Sequence, residues 1–235
     1  MQERPDKRRS AASHAGFSLI EVMVVVSIMG VLLAIAGPQV SQWAENQKVK
    51  GTARAIAGVF LKARAEAIRT GNNHIVFFGN PGATDPSGNA VEKDGAWVPV
   101  LLINDGPPAT ANCAIAASEI VEGILPEDGL AWGVNLAGSA IATDSGAAAF
   151  DPGGWDGATF ADPSNNKVNW VMFQPNGIPV TFVGAVGSCG VIGTMGTGSG
   201  ALYLTNGKRD YGVRLSPLGD ARVHAWDVTA GGWTT

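Results

Sequence analysis

Residues 17–36 read FSLIEVMVVVSIMGVLLAIA, twenty residues with a single ionisable side chain, Glu21. As a helix rising 1.5 Å per residue this run covers about 30 Å, the hydrocarbon thickness of a bilayer. Arg4, Lys7, Arg8 and Arg9 precede it, so the positive-inside rule keeps residues 1–16 in the cytoplasm and sends the rest of the chain across. A cleaved secretory signal would have an apolar region of only about 7–15 residues. A plain membrane anchor accounts for the length but not for the acid. A carboxylate in hydrocarbon costs a few kcal/mol or more and needs a partner. No Lys or Arg lies within one helical turn of Glu21. A cut after Gly16 would create an α-amino group on Phe17, a positive charge that a neighbouring molecule could present to Glu21.

The stretch GFSLIEVMVVVSIMGVLLAIAGP, residues 16–38, resembles the N-terminal signature of type IV prepilins and type II secretion pseudopilins. The resemblance implies cleavage between Gly16 and Phe17 by an inner-membrane prepilin peptidase, followed by N-methylation of Phe17. It also implies that Glu21 pairs with the amino terminus of a neighbouring subunit during assembly. The partners so implied are the peptidase, the inner membrane and other pilins or pseudopilins, with no cofactor and no small-molecule substrate. The head would stand in the periplasm on a single-pass anchor and then join a pilus or pseudopilus.

Gly37 and Pro38 interrupt the apolar run, and proline there predicts a kink or a loosened turn. Beyond it Val49, Ala53, Ile56, Phe60, Ala63 and Ala67 recur at steps of three and four, one face of an amphipathic helix. Gly71-Asn72-Asn73 is a natural stop. One long helix is therefore expected from residue 17 to 70. The expected organisation is a leader at 1–16, a transmembrane and assembly helix at 17–37, an amphipathic stalk at 38–71 and a β-rich head at 72–235.

Strand candidates in the head are residues 74–78 (HIVFF), 97–103, 168–173, 177–183, 201–204, 211–216 and 222–226. VMFQPNGIPVTF reads as a hairpin turning at Asn176-Gly177, and RDYGVRLSPLGDARVHAW as another turning at residues 217–220. Residues 79–96, 104–118 and 135–166 read as loops. The fold class is α+β: a long N-terminal helix packed on an antiparallel sheet. The stalk, the FQPNGIP hairpin and the final YGVRLSPLGDARVH hairpin resemble the GspH/FimT group of minor pilins and minor pseudopilins. The usual glycine-then-arginine ending is only partly matched, since Asp220 and Ala221 separate Gly219 from Arg222. Cys113 and Cys189 are the two cysteines. An exported head favours one disulfide between them; two buried free thiols is the other reading.

Composition excludes several functions. Residues 71–235 hold six basic and fifteen acidic side chains, a poor general surface for nucleic acid. Some FimT-like pilins bind DNA through C-terminal arginines, which makes Lys208, Arg209, Arg214 and Arg222 candidate contacts. Asp210, Asp220 and Asp227 stand beside them, and solvated strand-edge charges are the preferred reading. His14, His74 and His224 form no H-E-x-x-H or Cys–His metal spacing. GVIGTMGTGSG lacks the Gly-Lys-Ser/Thr ending of a phosphate loop. Asp151, Asp156 and Asp162 miss EF-hand spacing. An enzyme is not indicated. Trp132, Trp155, Trp226 and Trp233 could anchor neighbouring subunits or cover the core.

Overall fold

The computed structural model describes residues 18–125, 129–146 and 157–235. Helix α1 runs Leu19–Thr70. Twelve strands follow in the described residues: β1 (Asn73–Phe78), β2 (Glu92–Lys93), β3 (Ala96–Trp97), β4 (Val100–Gly106), β5 (Ile120–Ile124), β6 (Ala131–Trp132), β7 (Trp170–Phe173), β8 (Pro179–Val180), β9 (Gly200–Thr205), β10 (Asp210–Leu215), β11 (Ala221–Asp227) and β12 (Gly232–Thr234). They form two five-stranded sheets, β5-β4-β1-β7-β8 and β12-β11-β10-β9-β6, and a small β2–β3 ribbon. All pairings within them are antiparallel. This is an α+β architecture of the pilin kind, a long helix packed on antiparallel sheets.

The chain divides into two compact units at Trp43/Ala44. In the second unit, Val49, Ala53, Ile56, Phe60, Ala63 and Ala67 of α1 are buried, as their spacing requires. They share one core with Val76 and Phe78 of β1, Leu102 of β4, Phe173 of β7, and Leu204 and Val213 of the other sheet. The opposite faces of the same strands carry Ile75, Phe77, Leu101, Ile103 and Met172, which form a second core with Val98, Val180 and Phe182. Side chains alternate between faces along a strand. Since loops cover the outer face too, both sets are apolar, and β1 is buried along its whole length. That is why HIVFF shows no polar alternation.

Four five-residue turns share one geometry: 85–89 (DPSGN), 162–166 (DPSNN), 174–178 (QPNGI) and 216–220 (SPLGD). In each, the first N–H donates to the fifth carbonyl at 2.8–3.1 Å, and the fourth N–H donates to the first carbonyl at 2.8–3.0 Å. The fourth residue is left-handed in all of them: Gly88, Asn165, Gly177 and Gly219 have φ of 84°, 63°, 75° and 82°. Proline at the second place suits a fixed φ and a position that needs no donor.

Some expectations require correction. The run at 97–103 is two strands, β3 and β4, because Pro99 cannot donate to a ladder. The segment after Gly177 contributes only β8. Strands β2, β5, β6 and β12 fall where no strand was expected, β2 inside the expected loop at 79–96. The expected loop at 104–118 begins inside β4, which runs on to Gly106.

Candidate functional site

The first unit offers a helix whose apolar side chains are all exposed. Among the described residues from Leu19 to Ile35, the large hydrophobics are all open to their surroundings, and the most apolar window has no buried share. A helix apolar on every face and buried by nothing in its own chain requires lipid or other helices around it. Glu21 lies in its first turn with its side chain exposed, and its N–H donates to the Ser18 carbonyl at 3.0 Å. Ser27 Oγ donates back to the Met23 carbonyl at 2.8 Å, which satisfies the hydroxyl within the helix. Gly16 and Phe17 lie outside the described residues. α1 runs through Gly37 and Pro38 as helix.

Residues 12–37 match the prokaryotic N-terminal methylation motif. The N-terminal segment is that of a type IV pilin-like protein. It marks a substrate of prepilin peptidase, and α1 is long and apolar enough to cross a membrane. Proteins with this motif are structural subunits rather than enzymes. No curated protein and no solved structure matches the chain.

The four basic residues considered for nucleic acid fall into two places in this pilin-like head. Lys208 and Arg209 sit in the β9–β10 turn, where Lys208 Nζ pairs with Glu45 of α1 at 2.9 Å. Arg214 and Arg222 stand directly opposite one another across β10 and β11, roughly 17 Å along the strand from Arg209 at about 3.3 Å per residue. Arg222 Nε pairs with Asp220 at 2.8 Å, and Arg214 Nε donates to the Thr143 carbonyl at 2.6 Å. Three of the four cations are thus engaged inside the protein. The half-exposed Trp233 packs edge-on against Trp226, and Trp226 and Trp132 are buried. Trp155, Asp151 and Asp156 lie outside the described residues. Asp162 instead accepts the N–H groups of Ser164 and Asn166, both at 2.8 Å, so it organises its own turn.

Cys113 and Cys189 are joined by a disulfide, with Cα atoms 4.8 Å apart. Behind it stands Asp105, only 3% exposed, which the sequence reading did not single out. Its carboxylate accepts the N–H of Asn112 at 3.1 Å and of Cys113 at 3.0 Å. Cys189 Sγ lies 3.8 Å from the other carboxylate oxygen. Burial raises the Asp105 carboxyl to about 6, against the lowering effect of the two N–H groups, and Glu119 adds a further push upward. The only sequence signal was an aspartate closing the apolar run VLLIN eight residues before a cysteine.

Proposed function

We propose that the protein is a minor pilin of the GspH/FimT type that joins a type IV pilus or its priming and tip complex. The methylation motif, set directly on an apolar helix with no buried face, is the observation that carries this reading. Prepilin peptidase removes residues 1–16 after Gly16, and Phe17 becomes the methylated N-terminus. Residues 17–37 hold the subunit in the inner membrane and then pass into the filament, with Pro38 allowing the helix to loosen there. Glu21 meets the new amino group of a neighbouring subunit, which sets register and neutralises both charges. The stalk at 38–71 and the head at 72–235 remain on the periplasmic or outer side. A minor pseudopilin of type II secretion would use the same steps, and a tip adhesin or DNA-uptake receptor would add a ligand to them.

Glu21→Ala tests the docking role. Membrane-extracted Glu21→Ala should begin at a methylated Phe17, by intact mass, while the protein disappears from sheared filaments. Full incorporation of the variant would end the docking account. Deletion separates the roles: lost filaments indicate priming, whereas intact filaments that no longer bind indicate reception. Loss of secreted enzymes with pili intact would assign the protein to secretion.

A further inference from the structure

The disulfide closes a buried site that contains its own base. Cys113 is fully buried and Cys189 shows one edge to solvent. A carboxylate oxygen of Asp105 and both sulfurs lie within 4.8 Å of one another. Asp105 also grips the backbone of Cys113, which is held left-handed at φ 55°. A non-glycine residue in that region is uncommon and costs about 1 kcal/mol or more. The two N–H bonds to Asp105 hold that conformation, which places the thiol against Cys189. Among the described residues no cation acts on the carboxylate: its charged neighbour is Glu119, at the end of the short helical turn Ala117–Glu119. An acid buried without a countercharge is a poor structural choice where a neutral acceptor would serve the same N–H groups.

We propose that Asp105 is the positioning residue and proton acceptor for closure of the Cys113–Cys189 disulfide, so that the head completes its own bond in a near-native state. The reaction needs an external disulfide oxidant. Cys189, the more exposed sulfur, first exchanges with that oxidant as a thiolate. This gives a mixed disulfide and releases one oxidant thiolate. The Cys113 thiol then attacks Cys189 Sγ and its proton passes to the Asp105 carboxylate. The Cys113–Cys189 bond forms as the Cys189–oxidant bond breaks, and the second oxidant thiolate leaves and is protonated from Asp105. The protein loses two electrons and the oxidant is reduced to two thiols. A carboxylate with a pKa near 6 is a far better base for this step than an ordinary one near 4, yet remains mostly ionised at pH 7. It also spares the buried thiol from ionising alone at its usual pKa of about 8.5.

The test is reoxidation of the full chain, reduced in detergent micelles and supplied with glutathione disulfide, followed by acid quench and mass. In wild type the step from the glutathione mixed disulfide to the closed bond, two species that mass separates, should rise in rate through pH 6 and level off by pH 7.5. Asp105→Asn keeps an acceptor for both N–H groups but cannot take the proton. It should close about tenfold slower at pH 7 and accelerate steadily toward pH 8.5. Asp105→Ala should be slower still, because the Cys113 backbone loses its hold. An Asn variant that closes as fast as wild type, or faster, would show the carboxylate to be idle or merely repelling thiolates. A wild-type step from mixed disulfide to closed bond that inflects only near pH 8–9 would overturn the proposal without recourse to any variant.

Discussion

Asp105 carries a cost that can be measured once the bond is made. Its carboxyl is raised from 3.8 to about 6, chiefly by burial. Between those values the folded head binds a proton that the unfolded chain does not. Stability is therefore fully present below pH 3.8 and falls as pH rises toward 6, by on the order of 2–3 kcal/mol. His74 and His224 act in the opposite sense. Burial lowers both, so their contribution is present above pH 6.5 and fades as pH falls. The two effects overlap and flatten the profile of the wild-type head. Asp105→Asn separates them: its stability advantage over wild type should grow from pH 4 to pH 6.5 and then stay level. Urea unfolding midpoints at four pH values across that range measure the difference. A constant difference would mean that the carboxyl titrates at its ordinary value.

The repeated turn sets the geometry at the level of elements. The tips of two hairpins, β7–β8 and β10–β11, converge on the last turns of α1. A Cβ added at Gly177 would fall 2.6 Å from Ile68 Cδ1, and one at Gly219 would fall 3.1 Å from Arg64 Cδ. At Gly88, in the same turn, a Cβ would meet nothing within 4 Å. Gly88→Ala should therefore cost about 1 kcal/mol from its left-handed backbone alone. Gly177→Ala should cost slightly more, about 1–2 kcal/mol, because Ile68, an exposed side chain, must also turn its Cδ1 aside. Chemical denaturation of the pair isolates packing from conformation, and equal losses would mean that the hairpin tip does not bear on the helix. The hairpin turns at 174–178 and 216–220, and the helix face from Val49 to Ala67, were legible because glycine, proline and a period of 3.6 act locally. The split at Pro99 was written in the sequence and overlooked. Strands β5, β6 and β12 were not legible: IVEGI, AW and GWT are short, and each becomes a strand only because β4, β9 or β11 offers a free edge. Asp105 was hidden for a related reason. Its burial comes from loops that close over it from 8 and 84 residues away, distances that no local pattern spans.

The head as a whole is layered, and its layers are held differently. The core around α1 draws on both sheets. The outer core, on the far face of β1, β4 and β7, is covered largely by irregular segments carrying Val91, Val98, Cys113, Phe182 and Cys189. Asp85 ties two of those segments together, accepting the N–H of Ile115 at 2.6 Å and that of Asn89 at 2.8 Å. The disulfide joins one of these, the segment of Cys113 and Ile115, to a third that carries Cys189, 76 residues away in sequence. Irregular covers of this kind have few ladder hydrogen bonds and open at lower free energy than sheets. A cross-link over such a separation removes unfolded-state entropy equivalent to about 4.5 kcal/mol at most. Replacing both cysteines by alanine should therefore lower the stability of the head by about 2–4 kcal/mol, unevenly. Amide exchange should rise first at residues 107–119 and 184–199 and barely change in β9, β10 and α1 beyond Val49. The contrast follows from where the cross-link sits: it joins two covers to each other and neither to α1. Uniform loss of protection, including in α1, would mean instead that the inner core depends on the outer one and that the head unfolds as a single unit.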